Sequence, residues 1–320
     1  MSPISKNIYN QGFHKTTSNQ PYFEGFYYKF VNEEGEMIVV IAGISFSKTE
    51  NHAFIQVASN KSSKAYFYKF PLSEFDTNGN TFNFSIGENI FSNNTVKLSL
   101  PDVNGEIKIL NRNDWKRSWW SPSIMGFLSY IPNIECKHDV LTTNSMITGA
   151  IDLNNKKTEF KSGKGYIEKN WGQSFPKEYV WGHANQFKTK SLSVQFALAK
   201  PKWLVFRPSV YIGYVKYNGS VTHFGTHHFS HLSIQKEGEY IIITIRRIGK
   251  KIILRIKLES PIDLVSPKDG ELINVIKEYM NSSIQISIFT RNVFGKLNEL
   301  IVDKSLLATT EFHNYLIPSK

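Results

Sequence analysis

The sequence predicts an all-β chain organised as two domains, with one short helix. Three observations carry this. Turn signals recur about every 8–15 residues, with short alternating runs between them, the pattern of antiparallel strands. Aromatic residues make up 14% of the chain, led by 23 Phe and 15 Tyr, residue types that favour strands and pocket walls. At 320 residues the chain exceeds one average domain, which predicts two of similar size.

Taken in order, Tyr22 to Phe30 reads as a strand aromatic on both faces. Glu24, Phe26, Tyr28 and Phe30 share one side, and Phe23, Gly25, Tyr27 and Lys29 the other. Met37 to Ser45 and His52 to Ala58 follow across Gly- and Asn-containing turns, and Thr81 to Ile86 pairs with Thr95 to Leu100. Ser118 to Pro132 is apolar yet broken by Pro122, Gly126 and Pro132, so it either lines a pocket or covers a core edge. The clearest hairpin joins Tyr240–Arg247 to Ile252–Glu259 across Ile248–Lys251. The helix is expected over Asp269 to Asn281, where Leu272, Ile276, Tyr279 and Met280 fall on one stripe behind an Asp269 cap.

Composition bounds the function. The single Cys136 excludes an intrachain disulfide. The longest apolar run, Met37 to Ile44, is far short of a bilayer span, and the polar start has no secretory pattern. A soluble, cytoplasmic protein is expected. The net charge of +11 lies wholly in residues 161–320, which hold 23 Lys/Arg against 12 Asp/Glu, while residues 1–160 hold 15 of each. That asymmetry fits either a solvated Lys-rich exterior or peripheral contact with anionic membrane. No nucleic-acid motif accompanies it, so no nucleic-acid partner is expected.

The densest cluster of chemistry-bearing residues is Gly165 to Pro176. As a strand it sends Tyr166, Glu168 and Asn170 to one face and Ile167, Lys169 and Trp171 to the other. A second strand then begins at Tyr179-Val180-Trp181 and reaches His183 and Asn185. Glu168 beside Asn170 on an inward face is costly without partners, and reads as a polar latch or as a site. The histidines His223, His227 and His231 share a strand face, but four-residue steps set them roughly 13 Å apart. No metal site is therefore expected, and no cofactor: phosphate-binding and dinucleotide fingerprints are missing.

Phe23-Glu24-Gly25-Phe26-Tyr27-Tyr28-Lys29, Ile124-Met125-Gly126 with Glu135-Cys136-Lys137-His138, and Gly165-Tyr166-Ile167-Glu168-Lys169-Asn170-Trp171-Gly172 with Phe175-Pro176 resemble the tocopherol cyclase family. The chain departs from the plant enzymes at Gln173-Ser174, where they carry Gly-Gly. The resemblance implies two lipocalin-like antiparallel β-barrels, expected here over 1–155 and 156–320, the second carrying the Glu-Lys-Asn-Trp-Gly motif. It also implies a reaction, in which a prenyl alkene of a prenylated quinol is protonated and the phenol oxygen closes a chroman ring. On that reading Glu168 is the proton donor, Asn170 orients it, and Glu24 is the alternative acid. Tyr166, Trp171, Trp181, Tyr28, Phe26 and Asn185 contact the substrate, the rings stabilising a tertiary cation. The competing expectation is a carrier of a hydrophobic isoprenoid or lipid, needing the pocket but no acid.

Overall fold

The computed structural model describes residues 11–78, 82–292 and 295–318. The first sheet has eleven strands: β1 (Tyr22–Val31), β2 (Met37–Phe46), β3 (Asn51–Ser59), β4 (Tyr66–Pro71), β5 (Phe75–Thr77), β6 (Asn83–Ile86), β7 (Asn89–Ser92), β8 (Thr95–Ser99), β9 (Val103–Asp114), β10 (Cys136–Leu153) and β11 (Lys156–Gly172). Their hydrogen-bonded order is β4-β3-β2-β1-β11-β10-β9-β8-β7-β6-β5. The edge strands β4 and β5 are thus chain neighbours, joined by Leu72–Glu74 alone. A flat sheet would hold these edges about 48 Å apart, whereas three residues reach about 10 Å. The sheet therefore curls so that its edges approach one another, as a near-barrel.

The second sheet repeats this logic. Its strands are β12 (Tyr179–Ala184), β13 (Ser193–Ala199), β14 (Val210–Tyr217), β15 (Ser220–Gly225), β16 (His231–Glu237), β17 (Tyr240–Arg247), β18 (Lys250–Lys257), β19 (Pro261–Lys268), β20 (Glu271–Arg291) and β21 (Leu297–His313). They run β15-β14-β13-β12-β21-β20-β18-β17-β16, with β19 paired to β20 off that path. Only Thr226–Ser230 separates the edge strands β15 and β16, so this sheet also curls on itself. The fold is all-β, two near-barrel antiparallel sheets.

The chain divides into two compact units, Met1–Phe175 with Asp263–Val275, and Pro176–Ile262 with Ile276–Lys320. The expected boundary at 155/156 lies in the turn between β10 and β11. Because β11 pairs along its length with both β10 and β1, the Glu-Lys-Asn-Trp-Gly motif belongs to the first unit, not the second.

The expected helix over Asp269–Asn281 is strand. Asp269 and Gly270 take positive φ, 49° and 76°, and form the turn between β19 and β20, so Asp269 is no cap. From Ile276 onward the buried positions recur at Met280, Ser282, Ile284, Ile286 and Ile288. A two-residue period fed by β-branched isoleucines overrode the helical stripe. The 240–259 hairpin forms as expected, with a tighter turn: Arg247 pairs with Lys250 across Ile248-Gly249. Thr81 lies outside the described residues, while Asn83–Ile86 pairs with β5 and β7, and β8 pairs with β7 and β9.

The first barrel is filled with rings. Phe26 stacks on Phe82 at 4.5 Å, Phe84 on Phe91 at 4.8 Å, and Phe13 meets Phe84 edge-on at 4.9 Å. The second is filled by aliphatic side chains from facing strands, among them Val180, Ile243, Leu254, Ile284 and Ile286, with Phe196 and Phe224.

Candidate active site

The strand β11 carries polar groups on both faces, and the register decides which group faces where. Lys169 pairs with Phe26 of β1 and Asp139 of β10, so it points with Phe26, Tyr28 and Ile167 into the first barrel. Glu168 pairs with Tyr27 and Val140 and points to the opposite face. Alternation within Glu168-Lys169-Asn170-Trp171 thus builds two polar clusters back to back. The motif ends at Gly172, whose φ of 152° and tight approach to the Glu135 carbonyl leave no room for a Cβ. That carbonyl accepts the Gln173 and Ser174 amides, turning the chain out of the strand.

Inside the barrel, Glu24 is fully buried and accepts an unusual number of donors. The His14 amide donates to both carboxylate oxygens, at 3.1 and 2.9 Å, and His14 Nδ1 lies 2.7 Å from Oε1. The Tyr22 hydroxyl donates at 2.6 Å, and Lys169 Nζ lies 2.7 Å away. Burial alone would raise the Glu24 pKa, but Lys169 and His14 outweigh it and hold the carboxyl down to about 2. Lys169 also donates to the Gly12 carbonyl and sits over the rings of Phe26 and Trp171, 5.3 and 5.2 Å from their centroids. Burial lowers its pKa, opposed by Glu24. Trp171 stacks on His14 at 4.5 Å. Next to this pair, Asp139 is bound by Arg117 at 2.6 Å.

This arrangement corrects the reading of Glu24 as an alternative acid. A carboxyl with a pKa of about 2 holds no proton at neutral pH, and its three contacts with His14, together with the bond from Lys169 to the Gly12 carbonyl, fix the segment Gly12–His14 over the ring core. Phe26 and Tyr28 belong to that packed core, and Trp171 lies across the strand from Glu168.

On the other face, Glu168 is 3% exposed. The Tyr166 hydroxyl donates to Oε2 at 2.7 Å and the Asn170 amide donates to Oε1 at 3.3 Å. His138, from β10, lies with Nε2 3.7 Å from Oε2 and Nδ1 2.8 Å from Asn170 Oδ1. Since Asn170 Oδ1 only accepts, His138 carries its hydrogen on Nδ1, which turns Nε2 toward the Glu168 carboxyl. Of the residues read from sequence, the structure brings together Tyr166, Glu168 and Asn170. Trp181 and Asn185 are buried in the second unit, on and just after β12.

His138 was visible only as part of the Glu-Cys-Lys-His run, and no spacing tied it to Glu168, 30 residues away. Burial pushes the neighbouring Cys136 thiol well above its ordinary range, which leaves it a poor nucleophile. The Ser118–Pro132 segment is partly cover: Ile124 and Met125 are buried and Lys137 Nζ donates to the Ser129 carbonyl at 2.8 Å, while Trp119 and Trp120 stay exposed. The histidines behave differently from a straight strand. A turn at Thr226–His228 brings the His228 ring 5.5 Å from that of His223 and 4.2 Å from that of His227. Even so, among the described residues no group of three or more His, Cys, Asp or Glu converges to hold a metal.

Fold and site together define a two-barrel protein with a buried carboxyl–imidazole–amide–phenol network on the outer face of its first barrel. The chain belongs to the tocopherol cyclase-like family, whose sequence model matches residues 106–312 and so includes both β10 and β11. The tocopherol cyclase of Zea mays and the probable tocopherol cyclase of Oryza sativa subsp. japonica, both chloroplastic, are each 31% identical over 77 residues. Those matches cover 24% of this chain and only 16% of each plant protein. Among solved structures, CghA with Sch210972 superposes with a TM-score of 0.53 at 9% identity, over 92% of this chain and 88% of that one. An AttH from Nitrosomonas europaea gives 0.52 at 9% identity, over 93% of each chain. Likeness at that identity establishes the fold alone.

Proposed function

We propose that the protein is an acid-initiated cyclase of a prenylated quinol, with Glu168 as the proton donor. The observation that carries this is the buried Glu168 carboxyl, gripped by Tyr166 and Asn170 and faced by His138 Nε2. In the proposed step Glu168 delivers a proton to the less substituted carbon of a trisubstituted alkene. The tertiary cation that results is captured by the quinol oxygen, and the phenolic proton leaves to a base. His138 Nε2, or the carboxylate that Glu168 has become, receives it, so the reaction is an isomerisation with no net change in atoms or electrons. Tyr166 and Asn170 hold the carboxyl in one orientation, which confines the proton to one trajectory. Family membership supports an enzyme of this kind. The greasy substrate agrees with a cytoplasmic protein working at a membrane surface.

The second reading is a carrier of a hydrophobic ligand, which would need a cavity but would leave the Glu168, Tyr166, Asn170 and His138 network without a use. The rings in the first barrel stack on one another, and Phe26 and Tyr28 are fully buried there. Incubation of the purified protein with a prenylated quinol, followed by mass-resolved chromatography, tests the proposal. A redox-silent product of unchanged mass is expected from the wild type, with loss of about 100-fold or more in Glu168→Gln. Binding without product, or undiminished turnover by Glu168→Gln, would overturn it.

A further inference from the structure

Residues 179–236, a run of 58, contain no Asp or Glu, yet hold six Lys, one Arg and five His. Within that run the loop from β13 to β14 bends back at Trp203–Phe206, where each of the two residues donates its amide to the other's carbonyl, at 2.9 and 3.0 Å. The tip this creates is apolar and open to solvent. Val205 is 86% exposed, Phe206 64%, Leu204 60% and Trp203 36%. Lys202 and Arg207 flank the tip, both exposed, and Arg207 braces it by donating to the Lys200 carbonyl at 3.3 Å.

A second turn of the same unit, between β15 and β16, repeats the display. The β14 residue Tyr211 donates its amide to Thr226 Oγ1 at 3.0 Å and its hydroxyl to the Ser230 carbonyl, tying the 226–230 turn to the strand that leaves the first loop. That turn holds Phe229 at 92% exposure. Arg247, also exposed, donates to the carbonyl of His223 just before it. Leu204 and Phe229 both have left-handed backbone, with φ of 54° and 52°. Gly or Asn would sit there at less cost, so a leucine and a phenylalanine at these positions are held outward against local preference.

We propose that this edge of the second unit docks on anionic lipid, Trp203–Phe206 and Phe229 entering the headgroup–acyl boundary while Lys202, Arg207 and Arg247 meet lipid phosphates. Exposed apolar side chains on a rigid, cation-flanked turn fit a bilayer surface: the apolar tips gain area removed from water, and the cations sit at the plane of negative charge. A protein partner of purely acidic chemistry would leave the apolar tips uncovered. This assignment does not rest on the reaction proposed for Glu168.

Co-flotation of the full chain with phosphatidylcholine vesicles, and with the same vesicles carrying phosphatidylglycerol, tests the assignment. Binding at least tenfold tighter to the anionic vesicles is expected, weakening as salt is raised. Lys202→Ser/Arg207→Ser should lower the partition coefficient about 25-fold, near fivefold for each cation. Leu204→Ser/Val205→Ser should lower it about tenfold on vesicles of either charge. Both variants should melt as the wild type does, since these side chains are exposed. Equal binding to neutral and anionic vesicles, or variants that float like the wild type, would overturn the assignment. So would an absence of flotation combined with a concentration-dependent dimer that Leu204→Ser/Val205→Ser abolishes, which would give the surface to a second copy of the chain.

Discussion

Replacing Lys169 by Met should destabilise the first barrel by about 3 kcal/mol, and the figure follows from its surroundings. The Lys169 and Glu24 side chains are 1% and 0% exposed and lie 2.7 Å apart. At that separation, with an effective dielectric of about 20, the attraction is about 6 kcal/mol, offset by the cost of holding an ammonium away from water. Removing one partner of a buried pair typically costs about 3–5 kcal/mol, since the other charge is stranded. Glu24 would keep its contacts with the His14 amide, His14 Nδ1 and the Tyr22 hydroxyl, which puts the loss at the low end of that range. In a unit of this size the loss corresponds to a fall in Tm of about 6–12 °C. Urea unfolding at pH 7, followed by tryptophan fluorescence, reads it directly. Met has nearly the volume of Lys, so the effect isolates charge. The double variant Glu24→Gln/Lys169→Met should be more stable than Lys169→Met alone, giving a coupling of about 2 kcal/mol or more. A loss under about 1 kcal/mol, or strictly additive single variants, would refute the reading of this pair as the anchor of the barrel's polar interior.

The same cluster sets an acid limit. The Glu24 pKa is held down to about 2 in the folded protein, so its contribution is complete above the ordinary carboxylate range and is lost as pH falls from about 4.5 through 2, an effect of about 3 kcal/mol. His14 is shifted down from 6.5, chiefly by burial and then by Lys169, so acid favours the unfolded chain as pH falls below 6.5. His14→Gln should therefore flatten the fall of Tm between pH 7 and 5, and an unchanged slope would assign that fall elsewhere. Gly172→Ala should cost about 2 kcal/mol or more, because its Cβ would run into the Glu135 carbonyl at a positive φ. Gly219→Ala, also at positive φ but with open space around it, should cost about 1 kcal/mol, and equal losses at the two positions would remove the steric account.

Much of the fold was legible because strands announce themselves by alternation. The two faces of Tyr22–Phe30, the 240–259 hairpin and the split of Glu168 from Lys169 all follow from a period of two. Over Asp269–Asn281 that signal was ambiguous: Ile276 and Met280 satisfy both a helical stripe and an alternating strand, and only the isoleucines beyond residue 281 decide between them. Which face of β11 is the barrel interior was not legible at all. A strand bearing Glu and Asn on one side and Lys and Trp on the other looks equally polar from both, and the choice is made by pairing with Phe26 and Asp139, far away in sequence. For the same reason His14, Arg117 and His138 carried no local mark of their partners. An even division of the chain at 155/156 cuts the turn at Asn154-Asn155, which joins two paired strands of one sheet, and pairing between distant segments carries no local mark in sequence.

The most direct test of the central claim is a turnover of a prenylated quinol in deuterium oxide, with the product analysed by mass spectrometry. Proton delivery to an alkene before ring closure predicts one non-exchangeable deuterium on the carbon beside the new ether centre, formed by the wild type and lost in Glu168→Gln. A chroman without that label, or labelled product at an undiminished rate from the variant, would contradict it.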